Sequence, residues 1–200
     1  MHRDLDANRD AILAAAEGAF ADQGYAGASL QVIADAAGVS RGMPGYAFGS
    51  KARLYEAVLE RAFARPRAMA AELAARAGEG DEDALDATVG SYIDFLASHP
   101  TYVRLLQRAT LDGGRRLGQG AAHQGALGEV VALTSDVLAP VMRDEPDARQ
   151  VLVSLLAICF FPFAHRDTLL APLGLDADAP EFVAERKAHV LRLLHHLRRS

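Results

Sequence analysis

The chain has 200 residues, half of them hydrophobic, which is enough to bury the core of one large domain or two small ones. Alanine occupies 40 positions while isoleucine occupies 4 and threonine 5, so the composition favours helices and excludes a mainly β protein. The single cysteine, Cys159, excludes an intramolecular disulfide and metal sites built from several thiolates. Because residues 1–6 hold no apolar run and the longest apolar stretch, 151–164, is too short to cross a bilayer, we expect a soluble cytoplasmic protein.

The charge is unevenly distributed along the sequence. The formal net charge of −5 argues by itself against a polyanionic partner. Basic residues are nevertheless concentrated between residues 38 and 67, a window of net charge +4, and the rest of the chain carries −9. The basic residues of this window are Arg41, Lys51, Arg53, Arg61, Arg65 and Arg67. A phosphate-facing surface and an ordinary solvated helix face both explain the pattern, so charge leaves the two interpretations open.

The first predicted element is an amphipathic helix over residues 9–23, whose apolar positions recur at helical spacing on one face. Gly24 follows as a stop signal. Next, Ser29 is placed to cap a helix of about two turns, and Gly38 is placed as its C-terminal glycine. The N-terminal segment therefore predicts two helices joined by a short connection.

A third short helix is predicted from a cap at Ser40 through Tyr46, and Ser50 then caps the start of a fourth helix. Three short helices with a tight glycine turn between the second and the third describe a helix-turn-helix unit. The fourth helix meets Pro66, which removes one backbone donor and crowds an earlier carbonyl. We therefore expect a kink or a restart near residues 61–65.

Further helices are predicted over about 84–98, from Pro100 to a stop at 112–114, and over about 122–138, 147–161 and 179–197, which makes about nine in all. The helix over 147–161 is apolar on nearly all sides and must be covered all round. A second subunit provides that cover in one interpretation, and a central core helix of a monomer is the alternative. The predicted dimer interface consists of Leu152, Leu155, Leu156, Val190, Leu194 and Leu197.

Residues 9–60 carry a spaced pattern that closely resembles the DNA-binding domain of the TetR family of transcriptional regulators. Its residues are Arg9, Ile12, Leu13, Ala16, Phe20, Gly24, Tyr25, Ser29, Leu30, Ile33, Ala34, Ala37, Gly38, Val39, Ser40, Arg41, Gly42, Phe48, Gly49, Ser50, Lys51, Leu54, Tyr55 and Val58. The resemblance implies an all-α homodimer with an N-terminal three-helix helix-turn-helix domain over 1–50 and a C-terminal helical ligand-binding and dimerisation domain over 51–200. It also implies a palindromic double-stranded DNA operator and repression relieved by a small molecule, with no cofactor.

The predicted recognition helix departs from the family pattern. Gly45 stands where many members have a tyrosine, and two glycines with a proline make the segment a poor helix former. Arg41 is the main candidate for reading base edges, because arginine bonds guanine with two hydrogen bonds, and Gly45 would let the backbone approach the bases. Tyr46 is assigned to phosphate, with a packed aromatic as the alternative. The full DNA-binding set is Ser29, Gln31, Ser40, Arg41, Met43, Gly45, Tyr46 and Lys51.

The candidate effector pocket is mostly apolar and aromatic, which favours an apolar or aromatic small molecule. Its predicted lining residues are Phe63, Met69, Tyr92, Phe95, Tyr102, Leu106, Gln107 and Phe160. Because Pro66 lies on the helix that leaves the DNA-binding segment, we interpret it as a pivot for the ligand response. An ordinary surface kink is the alternative.

The sequence contains no Walker loop, dinucleotide fingerprint, nucleophile elbow or zinc-helix motif, so no enzyme activity is expected. His189, His195 and His196 do not stack on one helix face, which argues against a metal site. Two alternatives stay open: a helical small-molecule carrier or lipid-responsive protein that no longer reads DNA, and a regulator without a ligand. Salt-dependent, sequence-specific DNA binding distinguishes the carrier from a regulator.

Overall fold

The computed structural model describes residues 2–81, 83–111 and 148–199, with side chains for 5–81, 83–111 and 149–196, and every regular element in these ranges is helical. The all-α class is therefore confirmed. The elements are α1 (His2–Gly27), α2 (Leu30–Ala37), α3 (Met43–Phe48), α4 (Lys51–Gly78), α5 (Ala84–Ser98), α6 (Pro100–Leu111), α7 (Ala148–Ala164), a π-helical turn (Arg166–Leu170), a 3₁₀ turn (Ala171–Leu173) and α8 (Pro180–Arg199). The helix expected over 122–138 lies outside the described residues.

The chain divides into two compact units. The first comprises residues 1–64 and 104–125, and the second comprises residues 65–103 and 126–200. Both α4 and α6 contribute residues to each unit. The predicted domain boundary at residue 50 lies just before α4, whereas the compact units divide inside that helix.

In the first unit, α1 packs against α2 and α3. The core consists of apolar side chains that helical spacing places on one face of each helix, and Ile12, Phe20, Ile33 and Leu54 are fully buried. Tyr55 contacts the ring of Phe20 edge to face at 4.9 Å, an arrangement that the ring quadrupoles favour. This aromatic packing fixes the start of α4 against α1.

The first helix is longer than the sequence pattern predicts. It begins at His2 rather than near residue 9. Gly24 interrupts the helix with φ 70° and ψ 174°, which confirms the predicted stop signal. The chain makes a further short turn to Gly27.

In the second unit, α5 packs against α7 and α8. Its core includes Ile93, Leu96, Phe163 and Leu194, all at most 1% exposed. Two contacts join α8 to α5 at the edge of this core: Lys187 Nζ forms an ion pair with Asp94 Oδ2 at 2.7 Å, and His195 Nε2 contacts Asp86 Oδ2. Packing and charge pairing therefore both hold α8 on α5.

The fourth helix runs without a break from Lys51 to Gly78 and contains Pro66, so of the kink or restart predicted near residues 61–65 the restart does not occur. Ala62 before the proline and Met69 after it are both buried, each within its own unit. Burial on either side compensates for the backbone hydrogen bond that the proline removes. None of the described helices is by itself long and apolar enough to cross a membrane, although α7 and the turns that follow it at a 74° bend pass that test as a pair.

Candidate nucleic-acid interface

The connection between α2 and α3 has the geometry of a helix-turn-helix. Ser29 Oγ accepts a hydrogen bond from the Val32 amide at 3.2 Å and caps α2 as predicted. Gly38 ends α2 in the left-handed region at φ 68°, and the amide of Val39 bonds the Ala34 carbonyl at 3.0 Å. This hydrogen-bond pattern satisfies the last carbonyls of α2 and turns the chain sharply toward α3.

The third helix begins later than its sequence predicts. Its N-cap is Gly42 and not Ser40, and no side chain caps it. Pro44 occupies the first turn, where a missing N–H costs nothing and the fixed φ favours a helix, so the helix starts at Met43. Ser40 contributes its backbone carbonyl instead, which accepts from the Met43 amide at 2.9 Å.

Two side chains anchor α3 to the first unit. Pro44 and Phe48 are buried, whereas Tyr46 is 77% exposed. A Cβ added at Gly45 would meet no heavy atom within 4 Å, so the surface beside Tyr46 is open. The outward side of α3 therefore offers one large exposed aromatic next to bare backbone.

Arg9 of α1 holds the C-terminal end of α3. Its Nη1 donates to the Ala47 carbonyl at 2.9 Å, and its guanidinium lies 4.2 Å from the centroid of the Phe48 ring. A cation near the last carbonyls of a helix is favourable, and the stacking adds a cation–π contact. Arg9 belongs to the family pattern, but its contact with α3 is not evident from local sequence, because it joins residues 38 positions apart.

Arg41 lies in the turn before α3, with its side chain 72% exposed. Its Nε is 4.0 Å from Asp35 Oδ1 on α2, which makes a loose, solvent-screened pair. Gln31 and Ser40 are also exposed, and Met43 is half-buried. The guanidinium of Arg41 can therefore leave Asp35 at little cost when a stronger acceptor is present.

Lys51 stands at the start of α4, where Ser50 Oγ accepts from the Arg53 amide at 3.2 Å and caps the helix as predicted. Its Nζ lies 4.6 Å from the centroid of the Tyr25 ring and 3.4 Å from the Ala26 carbonyl. Lys51 is thus half-buried against the end of α1. Its ammonium is positioned by α1 rather than extended into solvent.

Part of the basic window is neutralised by carboxylates from outside it. Arg61 Nη2 lies 2.9 Å from Glu17 Oε2, and Arg65 Nη1 lies 3.0 Å from Glu72 Oε1. The sequence count of +4 therefore overstates the positive charge that this segment offers to a polyanion. Arg41 and Lys51 remain the basic residues closest in sequence to α3.

The predicted effector residues are divided between the two units. Phe63, Leu106 and Gln107 belong to the first unit, and Met69, Tyr92, Phe95, Tyr102 and Phe160 belong to the second. Three of the second group form one aromatic cluster: the ring of Phe95 lies 6.4 Å from Tyr92 and 5.0 Å from Tyr102. Phe95 and Tyr102 are almost wholly buried.

The aromatic cluster contains hydrogen-bonding groups in an apolar surrounding. The hydroxyls of Tyr92 and Tyr102 bond each other, and burial raises the pKa of each phenol well above its ordinary value. Burial also raises the pKa of the Cys159 thiol to about 11, so it stays protonated at neutral pH. Within the described residues, no group of three or more His, Cys, Asp or Glu side chains is arranged to hold a metal ion.

Most residues of the predicted dimer interface already pack inside the chain. Four of the six are buried: Leu152, Leu155, Val190 and Leu194. Leu156 is half-buried, and the side chain of Leu197 lies outside the described residues. The large apolar side chains that α7 and α8 leave exposed are Val153, Phe161 and Leu193. Helical periodicity did not identify the outward face of either helix, and the dimer interface stays a prediction.

Known proteins resemble both parts of the chain. The family model for bacterial regulatory proteins of the tetR family matches residues 12–58, and the model for the tetracyclin repressor-like C-terminal domain matches residues 82–194. The HTH-type transcriptional repressor NicS of Pseudomonas putida is 27% identical over 176 residues, which cover 86% of this chain and 82% of that protein.

Solved structures show the same fold. A protein from Mesorhizobium loti assigned to the TetR family superposes with a TM-score of 0.69 at 18% identity, covering 96% of each chain. NalD, the secondary repressor of the MexAB-OprM multidrug efflux pump in Pseudomonas aeruginosa, superposes with a TM-score of 0.65 at 22% identity, covering 97% of this chain and 96% of that one. With a helix-turn-helix in its first unit and family models matching both parts, the chain belongs to the TetR family of transcriptional regulators.

Proposed function

We propose that this protein is a repressor that binds a palindromic DNA operator as a homodimer and is released by an apolar or aromatic small molecule. The observation that carries the proposal is the outward side of α3, where the exposed Tyr46 and the open backbone at Gly45 adjoin the exposed Arg41. A short helix held by buried anchors and presenting polar groups outward suits the major groove.

The contacts are divided by what each side chain can reach. Arg41 reads base edges, with Gln31 and Met43 beside it, and Gly45 permits close approach of the backbone to the bases. The remaining candidates bind phosphates and set the register on the duplex: Ser29, Ser40, Tyr46 and Lys51. Ser29 can donate its hydroxyl hydrogen to a phosphate while its oxygen still caps α2.

Selection of bound sequences from a random DNA library tests this proposal. We expect Arg41→Ala to relax base preference. We expect Lys51→Ala to weaken binding to all sequences equally and to reduce by about one the slope of log affinity against log salt concentration. Arg192→Ala is the matched control, because Arg192 is exposed on α8 and belongs to the second unit. Absence of any enriched sequence at low salt would favour the carrier interpretation, and identical behaviour of the Arg41 and Lys51 variants would contradict the division of contacts.

The aromatic cluster of Tyr92, Phe95 and Tyr102 is the proposed effector site. Rings offer stacking surface, and the paired hydroxyls offer one donor and several acceptor positions to a ligand. Screening aromatic compounds for release of the selected DNA tests the assignment. We expect Phe95→Leu to weaken the response to an active compound about tenfold without changing DNA affinity, and an unchanged response would remove the cluster from the site.

Pro66 is proposed as the pivot of α4. Its place inside a continuous helix, close to the division between the two units, supports this assignment. Pro66→Ala restores a backbone donor and stiffens the helix, so we expect a higher concentration of active compound to be needed for DNA release. Release at an unchanged concentration would make Pro66 an ordinary proline of the helix.

A further inference from the structure

Arg186 of α8 replaces a hydrogen bond that α7 loses at Pro162. Proline has no N–H, so the Ile158 carbonyl, four residues earlier in α7, has no helical donor. Arg186 Nη2 donates to this carbonyl at 2.6 Å. The guanidinium of Arg186 is therefore held in position by the backbone of α7.

The positive charge of Arg186 has no counter-charge among the residues that the structure describes. Its Nε is buried without a hydrogen-bond partner, and no described carboxylate pairs with it. Arg166 differs in this respect: its Nη2 is also buried and unpartnered, but its Nη1 lies 3.0 Å from Asp178 Oδ1. Burial lowers the pKa of Arg186, yet a guanidinium stays protonated at neutral pH. Because a partly buried cation without a counter-charge is costly, Arg186 is a candidate for binding an anion.

Arg186 also lines a groove of about 400 Å³ alongside α8, within the second unit. This volume is in the range of small-molecule sites. Leu175 and Phe182 give the groove an apolar wall. The ring of Phe182 packs edge to face against the buried Phe163 at 6.2 Å between centroids, so its orientation is fixed from behind. His189, one turn after Arg186, contributes an exposed imidazole to the same groove.

The other charged residues that line the groove do not neutralise Arg186. Glu185 and Arg192 are both exposed and have opposite sign, so their charges offset each other. Exposed charges are also screened by solvent, whereas the charge of the partly buried Arg186 acts in a lower dielectric. The groove thus combines one uncompensated cation with an apolar wall.

We propose that this groove binds a small carboxylate, whose charge is taken by Arg186 and whose apolar body lies against Leu175 and Phe182. Arginine forms strong, charge-assisted hydrogen bonds with a carboxylate, and the imidazole of His189 can donate another. A single cation balances one negative charge, which favours a carboxylate over a phosphate carrying nearly two. No residue of the aromatic cluster lines the groove, so this is a second ligand site, and it goes beyond the proposed function.

Isothermal titration calorimetry with benzoate tests the site in the absence of DNA. Benzamide has the same ring without the charge, and acetate has the charge without the ring. We expect benzoate to bind with a Kd below about 1 mM, and benzamide and acetate to bind at least about tenfold more weakly.

A charge reversal beside Arg186 locates the bound benzoate. Replacing Arg186 itself would leave the Ile158 carbonyl without a donor, so the variant is His189→Glu, whose carboxylate would pair with Arg186 in place of the ligand. We expect it to weaken benzoate binding at least about tenfold. Ser91→Glu is the matched control, because Ser91 is exposed on α5 of the same unit and does not line the groove.

Each outcome supports or overturns the site. Equal binding of benzoate and either benzamide or acetate would show that charge and apolar body are not recognised together, and would overturn the inference. Wild-type affinity in His189→Glu would place benzoate elsewhere and overturn it too. Benzoate binding that weakens as protein concentration rises would make the groove a contact between two copies instead. A protein that binds benzoate as expected but enriches no DNA sequence would support this site while the proposed function fails.

Discussion

Two glycines, one at the end of α2 and one inside α3, have opposite conformational requirements. Gly38 has φ 68°, where a side chain is strained, whereas Gly45 lies inside α3 with open space around it. We expect Gly38→Ala to lower the free energy of unfolding by about 1–2 kcal/mol and Gly45→Ala to raise it by about 0.5–1 kcal/mol. Thermal and urea unfolding measure both.

The Gly45→Ala variant also tests the proposed role of Gly45 in DNA binding. If its backbone approaches base edges, the methyl group of Gly45→Ala weakens affinity for the selected DNA even though the fold becomes more stable. A variant that is more stable and binds DNA with unchanged affinity would leave Gly45 without a part in recognition. A Gly45→Ala variant of lower stability would contradict the packing described around α3.

The buried thiol of Cys159 is expected to make the folded chain less stable in alkaline solution. Its pKa is about 11 in the folded chain against a reference value of 9.0, because burial disfavours the thiolate. Between pH 9 and 11 the unfolded state therefore releases a proton that the folded state retains, and stability falls by about 2–3 kcal/mol over that range. Below pH 9 both states keep the proton, and the thiol adds no pH dependence.

Urea unfolding at pH 8, 9, 10 and 11 measures this loss. Cys159→Ala lacks the thiol, so we expect its free energy of unfolding to fall less steeply with pH over the same range, although its stability at pH 8 is lower. The slope that remains in the variant comes from Tyr92 and Tyr102, whose pKa values are also raised. Equal slopes in the two proteins would mean that Cys159 is accessible to solvent.

At the scale of helices, Ser29 caps α2 and is also proposed to contact a phosphate. Ser29→Ala removes the acceptor that caps the helix and is expected to cost about 1 kcal/mol. Ser29→Asp keeps a capping acceptor and so preserves stability, but its charge repels phosphate. We expect it to weaken DNA binding at least about tenfold. Comparing melting temperature with DNA affinity for both variants separates capping from phosphate contact, and full DNA affinity in Ser29→Asp would exclude that contact.

Helix boundaries were predictable where a residue imposes them locally. The bounds of α2 and α5 match their predictions, because Ser29, Gly38 and Pro100 fix backbone conformation or satisfy terminal groups by themselves. The start of α3 was predicted wrongly, because Ser40 and Pro44 compete for the helix start and tertiary packing of Pro44 decides between them. The contact of Arg9 with α3 depends on tertiary structure and leaves no mark in local sequence.

The candidate sites were predictable to different degrees for the same reason. Periodicity places Leu194 on α8 but does not say whether its partner is another helix of the same chain or a second subunit. The structure buries it within the chain. The aromatic cluster was only partly predictable, because the sequence offers many helical aromatics and only packing brings Phe95 between Tyr92 and Tyr102.

At the scale of the whole molecule, the exposed face of α7 predicts where two copies meet. Val153 is 59% exposed and Phe161 is 51% exposed, and their spacing of eight residues places them on one side of the helix. We expect Val153→Glu and Phe161→Glu to weaken a homodimer by about 30-fold or more each, as hot-spot substitutions do. Sedimentation equilibrium measures the dissociation constant.

Leu173→Glu is the matched control, because Leu173 is 64% exposed in the 3₁₀ turn rather than on α7. A wild-type protein that sediments as a monomer at micromolar concentration would contradict the dimer. Equal weakening by all three substitutions would place the contact elsewhere. DNA with half-sites one helical turn apart, roughly 34–36 Å or a multiple of it, should bind more weakly to the two α7 variants as well.

The anchors of α3 are distinct from its outward residues. Pro44, Phe48 and Arg9 hold the helix in place, while Gly45 and Tyr46 contribute little to its burial. On the proposed division of contacts, base preference can be altered at Arg41 and Gly45 without rebuilding the scaffold, which makes these two positions suitable for randomised libraries. A variant with altered base preference should keep its fold, provided that Pro44, Phe48 and Arg9 are left intact.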